Sequence, residues 1–109
     1  MQELLSLYEY IKSKYDNYQT IKCTSSEIVV VFHNEFEMKI LLQNFYNVYF
    51  NGIFYYSVDW QDIKDTIDDV FTNNYVFCQQ NKKIKIVSLK DYRENPHYIH
   101  AWTIEKTLK

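Results

Sequence analysis

The chain contains one glycine, Gly52, and one proline, Pro96, in 109 residues. Phosphate-cradling loops and dinucleotide-binding turns need several glycines for tight turns and close backbone approach, so both are excluded. Arginine is equally scarce. Arg93 stands alone, which provides poorly for bidentate recognition of phosphates or base edges. The two cysteines, Cys23 and Cys78, are far apart in sequence and belong to no C-x-x-C pair. No apolar run approaches the ~20 residues of a membrane span. The opening MQELLSLYEYIK lacks the basic start and apolar run of a secretory signal. The expected setting is a reducing cytoplasm, away from membranes, with both thiols free and buried.

What is present reads as one globular domain over residues 1–109. Apolar residues make up 47% and charged residues 24% of the chain, enough for a single core and far from a disordered composition. Aromatic residues reach 18%, with eleven Tyr and seven Phe, rings that order at little entropic cost and suit a binding surface. Richness in Asn, Lys, Ile, Tyr and Phe fits an AT-rich coding genome, such as that of a low-GC bacterium or its phage. The net charge of −2 conceals a split. Residues 1–75 set five lysines against eleven carboxylates, net −6, and residues 76–109 set six lysines and Arg93 against three carboxylates, net +4.

The patterning predicts an α+β fold: a mostly antiparallel sheet built from hairpins, with two or three amphipathic helices packed on it. Leu4, Tyr8, Ile11 and Tyr15 form one stripe of a helix over 2–16. YQTIKC and IVVVFH flank the polar turn TSSE and read as a hairpin. Asn34 with Glu37 three residues on resembles a capping box, and Met38, Leu41, Leu42 and Phe45 follow at helical spacing, so a second helix is expected from residue 35. Asn51-Gly52 between aromatic flanks is read as a hairpin turn in preference to a helix C-cap. DWQDIKDTIDDVF is expected to be a helix capped by Asp59. YVFCQQ and KIKIVSL form a further hairpin turning at 80–82, Asn95-Pro96 a break or a helix start with Pro at its first position, and Tyr98, His100, Trp102 and Ile104 the alternation of a last strand. Helix then hairpin thus recurs three times, as a layout and not as a sequence repeat.

Nothing in the sequence brings Cys23 or Cys78 to His33, His97 or His100 as nucleophile and base, and neither cysteine has an activating context. His97 and His100, spaced H-x-x-H, share a face only if helical. The expectation is a non-catalytic protein with no metal and no cofactor.

Two charged segments remain. At 100° per residue, Trp60, Ile63, Ile67, Val70 and Phe71 of DWQDIKDTIDDVF span an apolar arc of about 100°. Asp59, Asp62, Asp65, Asp68 and Asp69 occupy the opposite half. Asp68 and Asp69 stand in the last turn, where the helix dipole opposes negative charge, and Asp62/Asp65 and Asp65/Asp69 are like-charge neighbours. Local stability did not select this pattern, so a functional surface is expected. Stacked carboxylates on one helix cannot enclose a cation, which leaves a cationic partner.

The expected function is therefore an inhibitor that uses this acidic face and its tyrosines to block the basic groove of a nucleic-acid-handling protein, such as a nuclease or CRISPR effector. In size and charge it is like the small phage- and plasmid-encoded antagonists: anti-CRISPR, anti-restriction and immunity proteins. The alternative is direct nucleic-acid binding through Lys82, Lys83, Lys85, Lys90 and Arg93, with Tyr92 stacking on a base. An exposed sheet edge would also allow a homodimer.

Overall fold

In the strands within residues 27–50, alternate side chains are apolar: Ile28, Val30, Met38, Ile40, Val48 and Phe50 all point inward and are fully buried. That period-2 pattern is what a half-buried antiparallel sheet requires. The computed structural model describes residues 2–80 and 83–108. It contains α1 (Gln2–Lys14), β1 (Thr20–Cys23), β2 (Glu27–Val31), β3 (Glu37–Leu42), β4 (Tyr46–Phe50), β5 (Ile53–Val58), α2 (Ile63–Phe71), β6 (Tyr75–Gln80), β7 (Lys83–Ser88), α3 (Leu89–Glu94) and β8 (His100–Trp102). Strands β1 to β5 form an antiparallel meander in sequence order, and β7-β6-β8 form a second, smaller antiparallel sheet. The fold is α+β, a single domain dominated by strands.

One core joins these layers. Leu4, Leu7 and Ile11 of α1 and Ile63, Ile67, Val70 and Phe71 of α2 meet the inner face of the large sheet. The small sheet joins it through rings: Phe77 lies 4.5 Å from Phe36 and 4.8 Å from Phe50, and Trp102 meets Phe36 edge-on at 5.5 Å. Burying such a ring stabilises by roughly 1.5–3 kcal/mol, and offset or tilted pairs add to that. On the other face of the small sheet, Val76, Cys78 and Ala101 pack with Tyr92 of α3.

Several expectations are corrected. Residues 37–42 are a strand, not a helix begun at 35. FEMKILL satisfies both periods, and pairing with β2 on one side and β4 on the other decides in favour of the strand. Asn34 does not cap a helix: its Oδ1 accepts from the Phe36 amide and its Nδ2 donates to the Thr103 carbonyl. The helix–hairpin rhythm accordingly gives way to a continuous meander. Asn51 and Gly52, at φ of 50° and 79°, form the hairpin turn between β4 and β5.

Helix α3 is an unanticipated element, started by Ser88, whose hydroxyl accepts from the Asp91 amide. The last strand is confined to His100–Trp102. Cys23 is half-buried rather than buried, because β1 is an edge strand. Both cysteines are free thiols. The expected turn at 80–82 falls largely outside the described residues. Among the described residues, no helix is long and apolar enough to cross a membrane.

Candidate functional site

The aspartates of DWQDIKDTIDDVF do not share one environment. Helix α2 begins at Ile63, not at residue 60, and the segment before it is a turn fixed by Asp59. The Asp59 carboxylate accepts the amides of Gln61 at 3.1 Å and Asp62 at 3.0 Å. Its carbonyl accepts the Ile63 amide. Asp59 thus organises the approach to α2 three residues ahead of the N-cap position, Asp62. Trp60, expected on the dry face of the helix, lies in this turn and is 67% exposed. The buried side of α2 is Ile63, Thr66, Ile67, Val70 and Phe71.

Asp68 is turned away from the other acids, toward α1. The Tyr10 hydroxyl donates to its two oxygens at 2.8 and 3.0 Å, the Tyr15 hydroxyl donates to Oδ1 at 2.5 Å, and the Lys14 ammonium lies 3.2 Å from Oδ1. Partial burial alone would raise the Asp68 carboxyl, but bonds from Tyr15, Tyr10 and Lys14 outweigh it and hold the group below the usual aspartate value. Burial first, and then the Asp68 bond and charge, push the Tyr15 phenol up to about 12. Lys14 is raised, chiefly by its contact with Tyr10 and then by Asp68. The charge that the helix dipole disfavours at Asp68 is therefore compensated from α1. Asp68 holds two helices together and does not contribute to an open acidic face.

Asp59, Asp62, Asp65 and Asp69 do come together. They line one open groove of about 550 Å³ with Phe45, Ser57, Val58, Thr66 and Tyr75, and no Lys, Arg or His is among its lining residues. Asp62 and Asp65 are exposed and, among the described residues, enter no ion pair. Asp69 is half-buried, and its Oδ1 accepts from the Asn74 side-chain Nδ2 at 3.4 Å. The nearest lysine in sequence, Lys64, points its ammonium over the Tyr10 ring, at 4.9 Å from its centroid. Unit charges ~4 Å apart interact by about 1 kcal/mol in water and more beside a low-dielectric wall, so four carboxylates with no cation among the lining residues make a local field that favours cations.

The basic segment is more dispersed. Lys83 and Lys85 are exposed on one face of edge strand β7, and Lys90 and Arg93 are exposed on α3. Lys82 lies outside the described residues. Tyr92, expected to stack on a base, is buried at the base of α3 with its ring parallel to that of Tyr98, so it serves the core and offers no stacking face. His97 and His100 lie in a coil and on β8. Burial pushes the Cys78 thiol up, against a smaller opposing effect of Lys85, which is the environment of an inert structural cysteine. No protein-family model, curated protein or solved structure matches the chain.

Proposed function

We propose that this chain is a non-catalytic binding protein, of phage or mobile-element origin, that inhibits a nucleic-acid-handling enzyme by seating its acidic groove on the enzyme's basic one. The observation that carries this reading is the convergence of Asp59, Asp62, Asp65 and Asp69 on one groove with no basic residue in its lining. Carboxylates held along one groove by α2 and the turn before it offer negative charge in the way a phosphate backbone does, and lysines and arginines that hold nucleic acid would accept them instead. Because mobile ions screen exposed charges beyond ~8 Å at physiological salt, the groove must come into contact to hold its partner, and the complex must weaken as salt rises. Nucleases, restriction enzymes and CRISPR effectors present such basic grooves, and anti-restriction, anti-CRISPR and immunity proteins are the functional types this reading suggests.

The test is reversal of Asp62, Asp65 and Asp69 to Lys together. These side chains are exposed or half-exposed, so the fold should survive. Partner binding should disappear, and binding equal to wild type at low salt would mean that the acidic groove is not the docking surface.

A further inference from the structure

The acidic groove does not end at Asp59. Phe45 and Asp59 also line an adjoining cleft of about 230 Å³, whose other walls include Trp60, Leu42, Tyr46 and Glu3. Phe45 and Trp60 are large rings left in solvent, at 55% and 67% exposure, while their neighbours Tyr46 and Ile63 are buried. Both stand on hydrogen-bonded turns. The β3–β4 turn is closed by the Gln43 amide donating to the Phe45 carbonyl at 3.0 Å, and the turn before α2 is held by the Asp59 carboxylate. Among the described residues neither ring pairs with another. Two pre-positioned rings facing one cleft cost hydration in the free protein, and burial of a Trp and a Phe together is the kind of anchor on which protein interfaces concentrate their energy.

We infer that Phe45 and Trp60 form an aromatic clamp for one apolar side chain of a basic polypeptide segment, the lysines or arginines flanking that side chain reaching Glu3 and Asp59 at the clamp and Asp62, Asp65 and Asp69 beyond it. This rests on the acidic groove being a docking surface, and it names what docks. The carboxylates decide between occupants. A nucleic-acid strand could stack on the rings, but its phosphates would meet Glu3 and Asp59, whereas a basic polypeptide satisfies rings and carboxylates together. The clamp supplies a part of the affinity that salt does not screen, and the acids supply the part that it does.

Two probes separate these contributions: a short peptide with lysines at both ends and a central leucine, and the same peptide with serine at the centre. Each is titrated into the full chain while the Trp60 indole N–H resonance is followed, assigned by its loss in Trp60→Phe. The leucine peptide should bind about tenfold more tightly, the equivalent of ~1.4 kcal/mol from burying part of one apolar side chain. It should shift the Trp60 signal, and Trp60→Ala or Phe45→Ala should erase the difference between the peptides. Asp62→Asn with Asp65→Asn should weaken both peptides alike. Equal affinities in wild type would overturn the clamp while leaving the electrostatic reading intact, and binding of neither peptide would remove both. A self-associated protein whose dimer is lost in Trp60→Ala and excludes both peptides would assign the cleft to a second copy and overturn the proposal.

Discussion

Tyr15 donates its hydroxyl to Asp68 at 2.5 Å while its ring stacks on Phe71, centroids 4.6 Å apart, so one residue just beyond α1 grips both the polar and the apolar side of α2. With Tyr10 and Lys14 on the same carboxylate, this contact fixes α2 against α1. The remaining aspartates of α2 are thereby presented on a rigid support. In the proposed reading, stability and binding fall to different members of one acidic segment, and the two roles can be tested separately.

Asp68→Asn should destabilise the fold by about 1–3 kcal/mol, because the two phenols and the ammonium lose a charged acceptor that is itself partly screened by solvent. Asp65→Asn should change stability by no more than ~0.5 kcal/mol, and in the favourable direction, since it relieves like-charge neighbours. Urea unfolding of the two variants measures both. Equal losses would mean that Asp68 is not a clamp.

Stability should fall at both ends of the pH range. The folded-state value of Asp68 is depressed, so its contribution is complete above the ordinary aspartate value of 3.8 and is lost as pH falls through the lower folded value. Tyr15 is raised from 10.0 to about 12, so its contribution is complete below pH 10.0 and is lost as pH rises toward about 12. Urea midpoints across pH should show an acid limb that Asp68→Asn flattens and an alkaline limb that Tyr15→Phe flattens. Unchanged limbs in these variants would assign the titrations to other groups.

In the native protein Cys78 should resist a mild alkylating agent, being buried with its thiol pushed up, while half-buried Cys23 on the edge strand should react faster. Intact-mass measurement over time should reveal a first label on Cys23 and a second only with unfolding. Labelling at equal rates would contradict the placement of Cys78 beneath α3.

Gly52→Ala should cost about 1 kcal/mol although no atom lies within 4 Å of the added Cβ. The loss comes from the backbone, which holds φ at 79° in the Asn51-Gly52 turn. Thermal unfolding checks this, and an unchanged midpoint would mean that the turn relaxes freely.

The hairpins were legible because their turn residues and alternation agree, as at Asn51-Gly52 and in Lys83 to Ile86. Strand β3 was not, since Met38, Leu41 and Leu42 fit a helical period while Phe36, Met38 and Ile40 fit a period of two, and only pairing with two neighbouring strands settles the matter. Ser88 followed by Asp91 three residues on was a readable signal for α3, hidden within what looked like the end of a strand. In the candidate site, the separation of Asp68 from the other acids had a faint trace: of the five aspartates it lies nearest Phe71 on the helical wheel, ~60° away, where a partner helix can reach it. The exposure of Trp60 had none, because it depends on α2 beginning three residues later than the apolar arc implies.

A competition gel-shift tests whether the acidic groove displaces nucleic acid from its partner. A nuclease or CRISPR effector captured by this chain from lysate of the cell that carries its gene is bound to labelled DNA or RNA, and the chain is added at low and at high salt. Wild type should displace the nucleic acid at low salt, high salt should weaken the displacement, and Asp62→Lys with Asp65→Lys and Asp69→Lys should abolish it. Displacement by the triple variant as efficient as by wild type, or a shift of the nucleic acid caused by this chain alone, would contradict the proposed inhibition.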